Sequence, residues 1–392
     1  VAAAPPLELF EGGPLWRLLV KTRLVQPPRK LLLRRIAALV AVTWVPVVVL
    51  AALDGTVAGG GITLPLLNDI VVHVRFLLAV PMLVLGEVVL GRALRGVLTY
   101  LGMSGIVPPQ EEPKLVALLE RARSRRDSLG IELLLLAIAF GTAAASFGST
   151  RELFLGATTW RMHATPDGGE LTRAGFWHAA VSLPLFQFLV LRWLWRLVIW
   201  AGVLRSIARL DLSLIASHPD RAGGLGFVGV GQLGFAAFLF AINAVLSAQI
   251  AEGVMYAGQD LAAQRAVIAG AVAISLLLVL APLVVFVPRL AAAKRVGRLR
   301  YGAMASHHGR HFEQRWLGSE DPPSESILES PDISSLADVE PGFARVERLR
   351  PLPVGRAELV PLALAAALPY APLALMVMPL EEILKRILGA LT

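Results

Sequence analysis

Seven stretches of the chain are apolar almost without interruption: 36–53, 70–90, 131–148, 176–204, 225–251, 266–287 and 359–380. At 1.5 Å of rise per helical residue each can cross most or all of a hydrocarbon layer about 30 Å thick. Between them the chain turns polar, and alternate connections are basic. The pattern predicts an all-α fold, a polytopic transmembrane helical bundle of about seven spans with cytosolic helical segments. The organisation that follows is an N-terminal amphipathic segment (1–35), a bundle (36–288) with a helical insertion at 91–130, a cytosolic segment (289–357) containing an acidic loop (318–341), and a C-terminal piece (358–392).

Lys and Arg count seven before the first stretch, none in 54–69, seven in 91–130, three in 149–175, three in 205–223, one in 252–265 and eleven in 288–358. Basic connections stay on the cytoplasmic side, so the N-terminus, 91–130, 205–223 and 288–358 are expected there. The first stretch lacks a convincing cleavage site after Ala51-Ala52, so it reads as a retained span. The seventh holds Pro361, Pro369, Pro372 and Pro379, and interior prolines each remove a backbone hydrogen bond. It is expected to be broken or re-entrant, and the tail EEILKRILGALT after it to be amphipathic at helical spacing.

Composition narrows the class. Hydrophobic residues make up 56% and charged residues 17%, against about 25% charged in soluble domains, which excludes an ordinary soluble enzyme and a disordered chain. With no cysteine, disulfides and thiolate chemistry are excluded. The formal charge of +8 belongs to arginines flanking apolar runs, so the lipid bilayer is the expected partner and nucleic acid is not.

Five segments, LFEGGPLWRLL, HVRFLLAVPMLVLGE, HPDRAGGLGF, SPDISSLADV and RLRPLPVGR, resemble in that order a family of uncharacterised polytopic bacterial inner-membrane proteins. The resemblance covers nearly the whole chain. It implies the bacterial inner (cytoplasmic) membrane with a cytosolic N-terminus, and brings with it no activity, ligand or catalytic residue.

Charges inside the apolar stretches carry the functional expectations. Arg75 and Glu87 share one span about 18 Å apart, too close to occupy opposite interfaces. Arg192 and Arg196 lie one helical turn apart on one face, and topology puts them at the depth of Glu87 and Glu132. Unpaired, each would cost about 2.5–3.5 kcal/mol, so Glu87, Glu132, Arg192 and Arg196 are expected to form an intramembrane polar cluster; the competing reading lets both arginines snorkel among Trp193, Trp195 and Trp200. Arg75, Asn243, Gln249 and Glu252 are expected to share the outer half, as a vestibule or as interhelical hydrogen-bond glue.

The segment around His218, Asp220, Arg221, Gly223, Gly224 and Gly226 is a candidate anion-binding turn: glycine amides at a helix start beside an arginine suit a phosphate or carboxylate. A tight linker capped by Asp220 is the plainer alternative. Two overlapping GxGxxG matches within 224–234 follow no strand and read as small residues for close helix packing. His307, His308 and His311 do not form a metal motif. No catalytic residue, cofactor or metal is assigned. The favoured function is a channel or secondary transporter for a small solute, with the excess of arginine over lysine slightly favouring an anion and homo-oligomerisation open; alternatives are a scaffold or sensor binding a partner through 289–357, and a lipid-modifying enzyme using His218, Asp220 and Arg221.

Overall fold

In lipid every backbone amide must be bonded within its own segment, so an apolar run of this length has helix as its only open-ended solution. The computed structural model describes residues 9, 12–21, 32–59, 61–153, 158–165, 169–318 and 331–375. It is 78% helical with almost no strand, an all-α polytopic bundle. Seven helices are long and apolar enough to cross a membrane: Leu32–Leu53, Ile70–Met103, Leu129–Ser146, Arg173–Ile207, Phe227–Tyr256, Arg265–Trp316 and Arg356–Leu375, numbered here spans 1 to 7. Spans 2, 4 and 6 have 34, 35 and 52 residues, about 50 to 80 Å of helix, so they project well beyond a bilayer.

The projections gather at one end of the bundle, called here the basic end. There the Ser213 amide donates to the Ile106 carbonyl (2.8 Å) and the Arg350 amide to the Arg221 carbonyl (2.8 Å), while the Arg289 guanidinium reaches the Ala208 carbonyl (3.0 Å). The helix Glu112–Arg126 lies at this end. At the opposite end Leu64 and Thr159 form a parallel bridge, and Arg173 pairs with Asp54 (2.6 Å). A two-residue antiparallel pair, Met162–His163 with Glu170–Leu171, folds the connection between spans 3 and 4 back on itself.

Span 5 sits in the middle, 61% of its apolar window buried, against 17% for spans 1, 3 and 6. Its small residues are the reason. A methyl group on Gly234 would stand 2.8 Å from the Leu90 Cα, and one on Gly231 2.6 Å from Val97 Cγ2. Span 2 answers with Gly86, where a Cβ would lie 2.8 Å from Ala237 Cβ. Two backbones thus approach more closely than larger side chains permit.

Spans 2 and 4 each contain a π-helical turn, Val74–Ala79 and His178–Ser182. Each precedes a proline, Pro81 or Pro184, that stands at the start of the α-helix that follows. Proline lacks the amide that an α-turn needs, and the wider turn takes up the mismatch.

Two expectations change. Residues 331–341, expected as part of an acidic loop, lie in the helix Pro331–Glu347, with Pro341 inside it; residues 319–330 fall outside the described set. The helix forms because its acids find cations on the extension of span 6: Asp332 accepts from Trp316 Nε1 (3.0 Å) and pairs with Arg315 (3.2 Å). Span 1 begins four residues earlier than expected, at Leu32, which brings Arg35 inside the helix. Span 7 is interrupted as the prolines predict, by a 3-10 turn at Leu368–Tyr370. Pro379 and the amphipathic tail lie outside the described residues.

Candidate functional site

Buried charge is concentrated at two depths. Toward the basic end, spans 1 to 4 bring Glu87, Glu132, Arg192 and Arg196 together with a fifth member, Arg35. Arg35 grips both carboxylate oxygens of Glu87, Nη1 to Oε2 and Nη2 to Oε1, the latter at 3.0 Å. Arg192 stands 3.7 Å from Glu87 and 3.9 Å from Glu132, and Arg196 4.0 Å from Glu132. Arg196 also donates to the Arg126 carbonyl at 3.3 Å, at the C-terminus of the helix Glu112–Arg126, where the helix dipole favours a cation. Both span-4 arginines are interior, 2% and 1% exposed, so snorkelling does not describe them. Trp193 and Trp200 are interior too; Trp193 donates to the Leu83 carbonyl (3.2 Å). The described residues near the N-terminus lie against this layer: Leu9 is fully buried, and a methyl group on Gly13 would stand 3.1 Å from Glu132 Oε1.

At the opposite end the structure builds a cavity of about 560 Å³ between spans 3, 4 and 5, within the range of small-molecule sites. Arg75, Thr142, Ser146, Arg161, His178, Gln187 and Gln249 supply its polar lining. Arg75 is 9% exposed. Its guanidinium lies over the Phe186 ring, 5.5 Å from the centroid, and its Nε has no hydrogen-bond acceptor. The π-turns carry both Arg75 and His178, each six residues before its proline. His178 is buried against Phe76 and Trp160, and its Nδ1 is also without a partner.

The carboxylates near the cavity are committed elsewhere. Asp69, fully buried, accepts from the Val72 amide (2.8 Å) and Trp160 Nε1 (2.8 Å) and pairs with Arg161. Burial alone would raise its carboxyl, but Arg161, these two donors and a hydrogen bond with Glu252 outweigh it and hold it at about 2. Glu252 accepts from the Val71 amide at 2.8 Å. Two acids therefore cap the start of span 2, where helix amides lack partners. Thr172, donating to the Trp160 carbonyl (2.6 Å), holds the Arg161 loop over the cavity, and Gly175 lets it come close: a Cβ there would lie 2.1 Å from the Arg161 oxygen.

Of the four outer-half residues expected together, only Arg75 and Gln249 line the cavity. Asn243 points to the other side of span 5, where its amide donates to Leu239 O (2.8 Å) and Ser275 Oγ (3.2 Å) and accepts from Tyr370 (2.9 Å). It ties spans 5, 6 and 7. Glu252 serves as the cap just described.

The glycine turn supplies its own anion. Asp220 accepts from the amides of Ala222 (2.8 Å), Gly224 (3.2 Å) and Gly226 (2.8 Å), and His218 Nδ1 stands 2.8 Å from it. Burial would raise this carboxyl; the three amides and His218 together hold it below the usual range. Arg221 adopts a left-handed backbone (φ 54°), as do Gly223 and Gly224, which turns successive amides inward. Arg350 donates to the Asp220 carbonyl at 2.7 Å, latching the RLRPLPVGR segment onto the turn. The amides expected to hold a phosphate are therefore occupied.

Arg35, Asp69, Trp160, Arg161 and His178 were not expected at either site. Arg35 reads as a flanking charge, and His178 as one more polar residue near a span entrance. Only the D-I-V-V order at the start of span 2, an acid at an N-cap, marked Asp69 locally.

Fold and geometry together define a polytopic α-helical membrane protein with a paired charge layer at one depth and a half-open, cation-lined cavity at another. Searches against protein families, curated sequences and solved structures found no match for the chain.

Proposed function

We propose that the protein is a secondary transporter or channel for an anionic solute, with the cavity between spans 3, 4 and 5 as its binding vestibule. One observation carries this reading: two guanidinium groups, the interior Arg75 and Arg161 of the overlying loop, line the same cavity. Guanidinium groups form strong charge-assisted hydrogen bonds to oxyanions, so a solute anion is the complementary occupant of a space lined by two of them.

The lining runs down span 4 to Val190 and Leu191, next in sequence to Arg192. The vestibule floor thus adjoins the paired charges, and these form the closed barrier on the path to the basic end. The two π-turns give spans 2 and 4 the local irregularity at which solute pathways bend. The excess of Lys and Arg in alternate connections supports an orientation with the charge layer toward the cytoplasm and the vestibule toward the outside; the bacterial inner membrane is what the sequence resemblance implies.

The test is flux in proteoliposomes against a panel of anions and cations. The expected outcome is flux of at least one anion, reduced at least about tenfold by Arg75→Gln, with potassium flux absent. Glu87→Gln, which frees Arg35 and Arg192 from their shared carboxylate, is expected to raise anion leak. Wild-type protein that moves no anion, while deletion of residues 331–347 abolishes retention of a cellular partner, would replace this reading with a scaffold.

A further inference from the structure

The cavity has two chemically different ends. Near the loops it presents Arg75, Arg161, His178 and Gln249 beside Met162 and Leu171; toward the membrane interior its walls are Ile138, Val190, Leu191 and Ile242. Thr142 and Gln187 lie deeper than the arginines; the Thr142 hydroxyl donates to the Ile138 carbonyl (2.8 Å) and stands 3.1 Å from Gln187 Oε1. Below that pair the described lining carries no charge.

Depth makes this order meaningful. Gln249 lies seven residues from the end of span 5 at Tyr256, and Ile242 fourteen, so they sit about 10 and 21 Å below that end. Polar above and apolar below is the order of a lipid in its leaflet. A small hydrated anion would leave the lower half filled by nothing complementary, since a hydrocarbon wall offers it no hydrogen bond. Span 3 packs mainly on span 4, and its cavity-facing residues Ile138, Thr142, Ala143 and Ser146 stand across the gap from Ile242, Val245 and Gln249 of span 5. The cavity is therefore bounded by two spans that do not close on each other, which gives a tail a route from the bilayer.

We propose that the ligand of this cavity is an amphiphilic oxyanion, a phosphate-bearing lipid whose head is held by Arg75 and Arg161 and whose hydrocarbon tail lies along Val190, Leu191 and Ile242. The inference rests on the vestibule reading and narrows it to a substrate class. Oxyanion recognition by guanidinium is shared by lipid phosphate and free phosphate; the apolar floor selects the lipid. Arg75 comes preorganised for the head, its guanidinium held over the Phe186 ring.

The experiment measures saturation binding of radiolabelled oleoyl lysophosphatidate to the full chain in maltoside micelles, with monooleoylglycerol and inorganic phosphate as competitors. One saturable site is expected, not displaced by the neutral lipid and displaced by inorganic phosphate only at concentrations at least about a thousandfold higher. Arg75→Gln should weaken binding at least about tenfold. Ile242→Trp, which fills the tail end and leaves the head site alone, should weaken it similarly, and gives a second route should Arg75→Gln misfold. Equal competition by inorganic phosphate with Ile242→Trp silent would overturn the lipid assignment and leave an anion vestibule. Equal competition by monooleoylglycerol with Arg75→Gln silent reduces the cavity to an apolar slot and overturns it too. Absence of saturable binding, with no flux of any anion in proteoliposomes, removes both this assignment and the vestibule reading.

Discussion

Replacing Glu87 by glutamine keeps the shape of the side chain and removes its charge. In the native protein that carboxylate receives two guanidinium donors from Arg35 and stands 3.7 Å from Arg192, all three side chains under a tenth exposed. Removing one partner of a buried ion pair costs about 3–5 kcal/mol, because the opposite charge stays buried. The cost should sit at the upper end here, since two cations depend on the one anion. Glu132→Gln should cost less, about 1–3 kcal/mol, as its arginines stand at 3.9 and 4.0 Å and one of them keeps Glu87. The double variant Arg35→Met/Glu87→Gln removes the most closely held cation with the anion, and should recover at least about 2 kcal/mol relative to the sum of the single variants. The assay is reversible unfolding by SDS titration in mixed micelles, run on all four members of the cycle. Non-interacting sites add to within about 0.5 kcal/mol; a coupling inside that margin would refute a stabilising pair between spans 1 and 2.

Acid titration tests two carboxylates outside the spans. The folded pKa of Asp69, about 2, lies below its ordinary 3.8, and that of Asp220 is also depressed, so each contributes stability that is complete above about pH 4 and is lost as pH falls through the folded value. Asp220→Asn should flatten the acid limb of a stability–pH curve and cost about 1–3 kcal/mol at pH 7; an unchanged limb would contradict the amide cage. Gly229→Ala should loosen the latch of residues 349–355, because the new methyl would lie 2.3 Å from the Pro353 oxygen, whereas Gly270→Ala meets nothing within 4 Å and should be neutral or stabilising by up to about 1 kcal/mol; thermal melts compare the two. The chain has no native cysteine, so single cysteines report topology cleanly: Gly258→Cys should react with an impermeant maleimide in intact cells and Ala303→Cys only after permeabilisation, and the reverse pattern would invert the orientation.

Close packing of span 5 was legible because its glycines are a property of one segment: Gly231 and Gly234 announce a near approach whoever the neighbour is. The paired charge layer was partly legible for the same kind of reason. Apolar length fixes the depth of Glu87, Arg192 and Arg196, and groups at one depth that cannot be solvated must meet. Arg35 was not legible, since a basic residue next to an apolar run reads as an interfacial anchor, and only the early start of span 1 turns it inward. The 331–347 helix was hidden by its prolines and serines; its acids become helical when the basic face of span 6 lies beside them.

The number of apolar spans and the separation of basic from non-basic ends belong to the sequence alone, because the cost of placing a residue in hydrocarbon is paid locally, one segment at a time. Which charges pair, and where a space is left, belong to the tertiary structure. Arg35 meets Glu87 across 52 residues and Arg161 meets Asp69 across 92, and no local preference encodes such distances. The cavity follows from three spans that fail to close around Arg75, a matter of helix packing and of two proline-driven π-turns that rotate Arg75 and His178 into the same gap.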